Sequence, residues 1–595
     1  MIHSHVLACQ GNSCTACGSR EVILAIEDSI KRNGLENEIK VITTGCHGLC
    51  SVGPILAIYP GAVTYAKVTP EDADEIVREH LINGKPVKKL VFDENAEGGS
   101  ITSVNDTPFY KNQQRIALKN CGIIDPENIE EYIASDGYQA LGKALVEMTP
   151  ENVIKCVKDS GLRGRGGAGF STGLKWELAK KPVSETKYVC CNADEGDPGA
   201  FMDRSVLESD PHSVLEAMAI AGYAIGASEG YIYIRAEYPV AVKRLEIAIN
   251  QAKELGLLGN DILGTGFDFE ITIRLGAGAF VCGEETALLT SIEGNRGEPK
   301  PRPPYPAVKG LFGKPTILNN VETYANIPQI ILNGAEWFSG IGTKKSKGTK
   351  VFALGGKIEN TGLVEIPIGT TLRKVVEEIG GGVPNGKNFK AAQTGGPSGG
   401  CIPASLIDTP IDYENLTAIG SMMGSGGLII MDEETCMVDI ARYFLDFTVD
   451  ESCGKCVPCR IGTKRIHEIL EKITSGNGEM KDLEKLEDLC QHVKTSSLCA
   501  LGQSAPNPIL TTIRYFRDEY EEHIKDKKCV AGVCKQLLQY IIIEAKCTGC
   551  TACVKVCPTG AISGELKKPH SIDRSKCIKC GACVKRCRFG AIIKR

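Results

Sequence analysis

The sequence has few aromatic residues and no long hydrophobic run. Phe, Trp and Tyr make up 6% of its 595 residues. No stretch approaches the ~18 consecutive apolar residues of a membrane-spanning helix. The N-terminus lacks the basic and then apolar segments of a secretory signal. We therefore expect a cytoplasmic protein with no direct membrane insertion.

Neither sign of charge predominates in the chain. There are 68 Lys and Arg against 73 Asp and Glu, a formal net charge of -5. This balance argues against a dedicated nucleic-acid-binding or membrane-surface protein. With 42% apolar and 24% charged residues, the composition is globular, and the length suits roughly four domains. Disordered and fibrous architectures are excluded.

Cysteine is the residue in excess. Of 27 cysteines, five lie between residues 9 and 50, seven between 121 and 436, and fifteen between 453 and 587. Disulfides are rare in the reducing compartment expected for a large chain without a secretion signal. Metal or redox chemistry is therefore the better interpretation of the cysteines.

Composition and hydrophobic periodicity divide the chain into seven segments. Apolar runs that alternate with helical periods indicate α/β domains, whereas the region after residue 430 is strongly helical. The predicted segments are a small α/β module (1–90), a linker (91–112), a larger α/β domain (113–340), a glycine-rich β-containing module (341–430), a helical domain (431–525), a hinge (526–545) and a C-terminal domain (546–595).

The C-terminal domain contains an internal repeat with a period of 30 residues. Each copy has the spacing C-x2-C-x2-C-x3-C, in which three thiolates hold one iron–sulfur cube and the fourth reaches across to the other. Zinc sites or free thiols are the alternative. The spacing predicts two [4Fe-4S] clusters, one on Cys547, Cys550, Cys553 and Cys587 and the other on Cys577, Cys580, Cys583 and Cys557.

Two more cysteine sets have metal-ligand spacing. In the first set, three close thiolates lie at the start of the helical domain and the fourth lies farther along the chain. This set suits a third [4Fe-4S] cluster, with an all-cysteine zinc site as the alternative. Two pairs at the ends of predicted N-terminal strands suit a [2Fe-2S] cluster or zinc equally. The first set is Cys453, Cys456, Cys459 and Cys499, and the second is Cys9, Cys14, Cys46 and Cys50.

The predicted hinge has metal-ligand residues but too few thiolates for an iron–sulfur cluster. His523, Cys529 and Cys534 suit a structural zinc site, and His570, between the two repeats, is the expected fourth ligand. Spare thiols and ordinary surface histidines are the alternative. Cys436, like the other dispersed cysteines, is expected to be a buried apolar residue.

A glycine-rich loop, GLRGRGGAGFSTGLKW (161–176), precedes a predicted helix. Glycines let backbone amides approach a phosphate, and the helix N-terminus adds its dipole. The preceding segment is helix-like, so the usual dinucleotide fingerprint is absent. Asn192, Asp194 and Glu195 follow a strand, where they are placed to bind ribityl or ribose hydroxyls, with a capping turn as the alternative.

Four motifs, GRGGAGFSTGLKW, NADEGDPG, GAGAFVCGEETALL and PTILNNVET, are followed by CGKCVPCR. Over residues 113–525 the chain resembles the NADH-binding flavoprotein subunits of respiratory complex I. With its additions at both ends it is most similar to the beta subunits of electron-bifurcating [FeFe] hydrogenases. The resemblance implies a multidomain α/β and α+β protein: a thioredoxin-like [2Fe-2S] module, a flavodoxin-like FMN domain, a ubiquitin-like SLBB module, a helical iron–sulfur bundle and a C-terminal 2[4Fe-4S] ferredoxin domain.

The same resemblance implies two neighbouring cofactor sites. NAD(H) would stack near Phe170 and Tyr305, with Glu285 at the adenosine ribose and Asp197 near the nicotinamide. Glu285 would repel a 2′-phosphate, which favours NAD(H) over NADP(H). The expected FMN-binding residues are Gly164, Gly166, Lys175, Asn192, Asp194, Glu195, Gly283, Glu284, Asn319 and Asn320.

The resemblance implies an enzyme subunit that moves electrons between NAD(H), ferredoxin and a partner such as [FeFe] hydrogenase. Hydride transfer between nicotinamide and FMN would join one-electron transfer through one [2Fe-2S] and three [4Fe-4S] clusters. Expected partners are a hydrogenase-type or formate dehydrogenase-type catalytic subunit, a small thioredoxin-like [2Fe-2S] subunit and ferredoxin. The alternatives are a subunit of formate dehydrogenase or complex I and a non-catalytic electron-transfer scaffold. No separate catalytic acid, base or nucleophile is expected.

Overall fold

The computed structural model describes residues 2–92 and 107–594, so most of the predicted linker lies outside the described residues. The chain forms two compact units, Met1–Ile430 and Met431–Arg595. Within the described ranges, no helix is both long enough and apolar enough to cross a lipid bilayer.

The N-terminal module packs an amphipathic helix on a small sheet. Its elements are β1 (Ser4–Cys9), α1 (Asn12–Ala16), α2 (Ser19–Arg32), β2 (Ile39–Thr44), β3 (Leu56–Tyr59), β4 (Val63–Tyr65) and α3 (Ala73–Glu75). The strand order is β2-β1-β3-β4, with β1 and β2 parallel. Val22, Ile26 and Ile30 lie on one face of α2 and join the core of the module.

A parallel sheet forms the centre of the next domain. Its strands are β5 (Tyr188–Ala193), β6 (Glu229–Arg235), β7 (Glu270–Gly276) and β8 (Thr316–Asn320), in the order β7-β6-β5-β8. Because β5 and β8 are parallel neighbours, their carboxyl ends lie at the same edge of the sheet.

Helices surround this sheet, and the longest apolar one is buried nearly all round. In chain order, the helices of residues 107–340 are α4 (Pro108–Lys111), α5 (Ile129–Ala134), α6 (Gln139–Glu147), α7 (Pro150–Asp159), α8 (Thr172–Lys180), α9 (Met202–Ser209), α10 (Pro211–Ile225), α11 (Pro239–Glu254), α12 (Glu285–Ile292), α13 (Pro306–Lys309), α14 (Val321–Ala325), α15 (Ile327–Asn333) and α16 (Ala335–Ser339). The buried helix is α10. The short helix α4 falls in the predicted linker and does not pack on this sheet, because its Phe109 lies in the core of the glycine-rich module.

The glycine-rich module is a mixed five-stranded sheet, and its core includes Leu49 and Ile55 of the N-terminal module. It contains β9 (Thr349–Gly356), β10 (Gly362–Pro367), β11 (Phe389–Thr394), β12 (Cys401–Pro403), α17 (Tyr413–Ala418) and β13 (Gly427–Asp432). The strand order is β10-β9-β13-β11-β12, with β9 and β13 parallel and the two outer pairs antiparallel.

The second unit begins with a helical domain. Leu445, Leu470, Leu486 and Ile509 contribute to its core from four helices. Its helices are α18 (Met437–Asp450), α19 (Lys464–Thr474), α20 (Met480–Ser496), α21 (Ala500–Ser504) and α22 (Asn507–Glu521).

The C-terminal domain has a pseudo-symmetric arrangement of short elements. These are β14 (Tyr540–Ile542), α23 (Ala552–Lys555), β15 (Ile562–Ser563), β16 (Ser571–Ile572), α24 (Ala582–Arg586) and β17 (Ile592–Lys594). Strand β14 pairs with β17, so the end of the predicted hinge is part of this domain.

Candidate functional site

The predicted cofactor residues meet at the carboxyl edge of the parallel sheet. Asn192 at the end of β5 lies opposite Asn320 at the end of β8. The Asn192 amide donates to the carbonyl of Gly283 at 2.9 Å, and its Oδ1 accepts from the backbone of Asp194 at 3.0 Å. This hydrogen bonding ties together the segments that follow β5 and β7.

The glycine-rich loop joins the same site. A Cβ added to Gly166 would lie 3.2 Å from the Cβ of Asn320, and one added to Gly283 would lie 3.5 Å from the carbonyl oxygen of Asp194. A side chain at Gly166 would crowd Asn320, whereas one at Gly283 would only fill space in the cleft between the motifs. Glycine therefore lets the backbone approach a ligand there.

Lys175 in α8 supplies a cation to the cleft. Its ammonium donates to the carbonyl of Leu318 at 2.9 Å and contacts Glu285 at 3.0 Å. The next residue, Trp176, donates to Asn319 Oδ1 at 3.0 Å. A glycine-lined backbone and an ammonium suit a phosphate, and carboxylates and side-chain amides suit hydroxyls. These are the groups that FMN requires, so the residues fit that cofactor.

Three of the predicted ligands also stabilise helix ends, and one of them is Asn320, whose side chain caps α14. Glu284 caps α12 by accepting from the backbone of Thr286 and Ala287. Both carboxylate oxygens of Glu195 accept backbone hydrogen bonds from the start of α9, each at 3.1 Å. Burial raises the pKa of Glu195 to about 7.

The four predicted nucleotide residues differ in exposure. Phe170 is 49% and Tyr305 59% exposed, so their rings are open for stacking. Asp197 accepts a hydrogen bond from Ser425 through Oδ2, whereas its Oδ1 is buried without a hydrogen-bond partner. Glu285 contacts Lys175, and its other oxygen lies 3.7 Å from Arg302. Its negative charge is therefore compensated by two cations, which the sequence did not suggest.

The N-terminal cysteines form one cluster of thiols. Interaction with the Cys14 thiol, and then burial, raise the pKa of Cys9, which also contacts Cys46. The Cys46 thiol in turn contacts Cys50. A Cβ on Gly11 would lie 3.1 Å from Cys46 Sγ, so the surrounding backbone is closely fitted to the sulfurs.

The cysteines of the helical domain also come together. Burial raises the pKa of Cys459 to about 11, and the charges of Cys456, Cys499 and Cys453 add to that rise. Ser452 lies 3.2 Å from Cys459 Sγ. The three closely spaced cysteines and the remote one therefore lie near one another.

The ferredoxin-like repeat exchanges its fourth cysteines between two cavities. The peptide nitrogen of Ala561 lies 3.3 Å from Cys557 Sγ, and that of Ala591 lies 3.4 Å from Cys587 Sγ, so the two repeats bind their fourth sulfur alike. One cavity is lined by Cys547, Cys550, Cys553 and Cys587, and the other by Cys557, Cys577, Cys580 and Cys583. This is the grouping that the spacing predicts.

A fourth group of metal-ligand type lies in the second unit. Cys436, His523, Cys529 and Cys534 are all buried, and their ligand atoms lie within 4.8 Å of one another. Nε2 of His523 is 3.4 Å from the sulfurs of Cys436 and Cys534, which are 3.8 Å apart. Nδ1 of His523 contacts the Glu519 carbonyl at 2.6 Å, which orients the ring.

The fourth member of this group corrects two predictions. It is Cys436, expected to be a simple apolar residue, and not His570. The backbone nitrogen of His570 lies 3.5 Å from Cys547 Sγ, and its ring is 4.0 Å from the same sulfur. His570 is thus held in the ferredoxin-like fold, whereas Cys436 precedes α18 and meets the end of α22 through helix packing.

Family models match five parts of the chain. They are the thioredoxin-like [2Fe-2S] ferredoxin (residues 2–81), the Nuo51 FMN-binding domain (157–329), the SLBB domain (351–402), the NADH-ubiquinone oxidoreductase-F iron-sulfur binding region (439–523) and the 4Fe-4S dicluster domain (546–592).

Curated relatives share most of this length. The chain is 62% identical over 460 residues to the NADP-reducing hydrogenase subunit HndC of Solidesulfovibrio fructosivorans, covering 77% of this chain and 94% of that protein. The chain belongs to the family of NADH-binding flavoprotein subunits. Another member, an NADH-quinone oxidoreductase subunit of Rhizobium meliloti (strain 1021), is 47% identical over 70% of this chain and 98% of its own length.

A solved structure of an NAD+-reducing [NiFe]-hydrogenase in the H2-reduced state is also similar. It matches with a TM-score of 0.62 and 29% identity, over 88% of this chain and 84% of that chain. This member of the flavoprotein family is therefore an oxidoreductase subunit with FMN-binding and iron–sulfur domains, of the hydrogenase-type or complex I-like class.

Proposed function

We propose that this protein exchanges electrons with NAD(H) at an FMN held by the four motifs and passes them through one [2Fe-2S] and three [4Fe-4S] clusters. The observation that carries the proposal is the convergence of the glycine loop, Asn192, Asp194 and Asn320 at one edge of the sheet. Two exposed aromatic rings, Phe170 and Tyr305, offer stacking surfaces in the same domain.

FMN, when bound, supplies the exchange between two-electron hydride transfer and one-electron transfer. The chain's own residues bind and orient. Lys175 and the loop backbone at Gly166 bind phosphate, whereas the Gly164 amide already donates to the Phe170 carbonyl. Asp194 accepts from hydroxyls, and the asparagines accept from or donate to them. Gly283 leaves space for the ligand, and Glu195 and Glu284 hold the ends of α9 and α12 beside it.

The assignment of Lys175 is open to a direct test. Lys175→Met should weaken FMN binding at least about tenfold, because a charge-assisted contact to phosphate is lost. Quenching of FMN fluorescence on titration with the FMN-free chain measures this. Lys180→Met, at the end of the same helix, is the matched control. Equal affinity of Lys175→Met and the unaltered chain would contradict the phosphate role.

A structural zinc ion is the proposed occupant of the group formed by Cys436, His523, Cys529 and Cys534. Zinc–sulfur bonds of about 2.3 Å in a tetrahedron place two sulfurs about 3.8 Å apart, which matches the 3.8 Å between Cys436 and Cys534. A Cys3His set is a closed structural site without an open position for substrate. The ion would join the start of α18 to the segment after α22.

The proposed assembly contains a hydrogenase-type catalytic subunit, with a formate dehydrogenase-type subunit as the second candidate, and a small thioredoxin-like [2Fe-2S] subunit. The name of the Solidesulfovibrio relative and the [NiFe]-hydrogenase match support the first. Ferredoxin is the proposed further partner, and electron bifurcation between it and NAD(H) the proposed overall reaction. The thiol-rich chain suits the reducing cytoplasm.

NADP(H) is the second candidate nucleotide. The Solidesulfovibrio relative is named an NADP-reducing subunit, and the pairing of Glu285 with Lys175 and Arg302 reduces its repulsion of a 2′-phosphate. We keep NAD(H) as the proposal because Asp197 and Glu285 place two carboxylates in the nucleotide region.

A further inference from the structure

The glycine-rich module reaches the proposed nucleotide site through two turns. A Cβ on Gly396 would lie 3.5 Å from Cγ of Asp197, and one on Gly167 would lie 3.1 Å from the carbonyl carbon of Gly424. Gly396 and Gly424 have φ of 55° and 62°, in the left-handed region that favours glycine. The turns at 395–396 and 424–426, here called the SLBB wall, therefore pack directly on the motif loops.

Ser425 makes a polar contact across this packing. Its hydroxyl donates to Oδ2 of Asp197. The other oxygen of Asp197 is buried and has no hydrogen-bond partner. A carboxylate held through one oxygen presents the other in a defined direction, which pre-organises it for a ligand.

Lys350 holds the Ser425 turn from the interior. It lies in β9, is fully buried, and its ammonium contacts the carboxylate of Glu322, the carbonyl of Val351 at 2.9 Å and the carbonyl of Ser425 at 2.5 Å. An ammonium has three donors, so each has an acceptor. The second oxygen of Glu322 accepts from the backbone of Val351 at 2.8 Å.

Glycine closes the turn over this ammonium. A Cβ on Gly426 would lie 2.8 Å from the Lys350 nitrogen and 2.3 Å from the Val351 carbonyl oxygen. Glu322 is the second residue of α14, two positions after Asn320 at the cofactor edge. The SLBB wall is thus connected to the cofactor edge through a dry, fully hydrogen-bonded ammonium.

We propose that Ser425 and Lys350 are positioning residues for the nicotinamide nucleotide, with Lys350 fixing the turn that lets Ser425 orient Asp197. The inference rests on the proposed nucleotide role of Asp197. It gives the SLBB module a part in nucleotide affinity although Lys350 itself does not reach the ligand.

The same hydrogen bond affects the ionisation of Asp197. Burial raises the pKa of Asp197 to about 6, and the Ser425 hydrogen bond opposes that rise. The charged groups around the loop are Glu195, Arg235 and Lys350, and a change at Ser425 leaves all three in place. Loss of the hydroxyl should therefore raise the pKa of Asp197 further. As the pH is lowered, the nucleotide affinity of the variant should begin to decline at a higher pH than that of the unaltered chain.

Ser425→Ala in the full-length, cofactor-loaded chain tests the inference. Calorimetric titration with NAD+ gives Kd between pH 5.5 and 8, and steady-state assays give KM and kcat for NADH. We expect Kd and KM to rise about tenfold, equivalent to about 1.4 kcal/mol, with kcat and FMN content unchanged and the pH profile moved upward. Ser421→Ala is the matched control, since its hydroxyl bonds to Thr394 and Gly400 inside the module.

Unchanged Kd, KM and pH profile in Ser425→Ala, with normal FMN content, would overturn the inference. Lys350→Met provides the second test, and a folded, FMN-containing Lys350→Met variant with the original NAD+ affinity would also overturn it. Failure of the unaltered chain to bind NAD+ or accept electrons from NADH would instead contradict the proposed function, so the two failures are distinguishable.

Discussion

The ammonium of Lys350 and the carboxylate of Glu322 form an ion pair in which neither side chain is more than 1% exposed. Removing one partner of such a pair leaves a buried charge without compensation. We expect Lys350→Met to lower the free energy of unfolding by about 3–5 kcal/mol, measured by denaturant unfolding of the holo chain.

The control for this prediction is an exposed pair. Lys253 and Glu270 are 40% and 48% exposed, and surface pairs contribute about 0–1 kcal/mol. Lys253→Met should therefore change stability little. Similar losses of unfolding free energy in Lys350→Met and Lys253→Met would show that the buried Lys350–Glu322 pair stabilises the fold no more than an exposed pair does.

Metal analysis tests the corrected ligand group. We expect about 14 irons per chain for one [2Fe-2S] and three [4Fe-4S] clusters, together with about one zinc. Cys436→Ala should lose zinc and keep iron, whereas His570→Ala should keep zinc. Cys490→Ala, another buried cysteine of the helical core, is the matched control. Full zinc occupancy in Cys436→Ala would exclude that cysteine as a ligand.

Buried Glu216 should make stability depend on pH. Burial raises the pKa of Glu216 to about 7, although the hydrogen bond that Tyr132 donates to its carboxylate at 2.5 Å opposes the rise. The folded state therefore binds a proton more tightly than the unfolded state, so stability should fall as pH rises from about 4.5 to 7.

Glu216→Gln isolates this contribution. Without the titratable group, the decrease in the free energy of unfolding between pH 5 and 8 should be smaller by up to about 3 kcal/mol. Denaturant midpoints at each pH measure this difference. Exposed Glu246→Gln is the control. An unchanged slope in Glu216→Gln would assign the pH dependence to other groups.

Nucleotide preference tests the role of Glu285. We expect kcat/KM to be higher for NADH than for NADPH. Because Lys175 and Arg302 already compensate the carboxylate, Glu285→Gln should reduce the preference only about two- to tenfold. Glu293→Gln, at the end of α12, is the control. Preference of the unaltered chain for NADPH would contradict the NAD(H) assignment.

Salt dependence tests the proposed ferredoxin surface. Residues 561–595 contain ten Lys or Arg against Glu565 and Asp573, and attraction between exposed charges weakens as salt screens it. The rate of ferredoxin reduction by the complex should fall with ionic strength and with Lys585→Gln plus Arg586→Gln. Changing Arg20 and Lys31 to Gln in the N-terminal module is the control. A salt-independent rate would contradict electrostatic docking.

Residues within one motif or one repeat could be placed from the sequence alone. The apolar run before Asn192 predicts a strand, and Asn192 lies near the end of β5. Its neighbour Asn320 is expected at the site only from the family resemblance. The spacing C-x2-C-x2-C-x3-C, present in both ferredoxin-like repeats, likewise predicts that Cys557 and Cys587 each line the cavity of the other repeat.

Contacts made by packing could not be predicted in this way. Cys436 lies 87 positions before His523, and nothing in its local sequence distinguishes it from other buried cysteines. The same holds for Ser425 and Asp197, which are 228 positions apart. The prediction of His570 was wrong because the turn that carries it is held against Cys547 by the ferredoxin-like fold.

Anaerobic titration of the isolated, reconstituted chain with NADH tests the central claim most directly. Both the flavin absorbance near 450 nm and the broad iron–sulfur absorbance are followed, and Lys175→Met without FMN serves as the control. The account predicts that NADH bleaches both absorbances in the unaltered chain, in stoichiometric proportion, and neither in the FMN-free variant. Unchanged spectra of the fully loaded chain in excess NADH would contradict an FMN-dependent path from NADH to the clusters and would favour a non-catalytic electron-transfer scaffold.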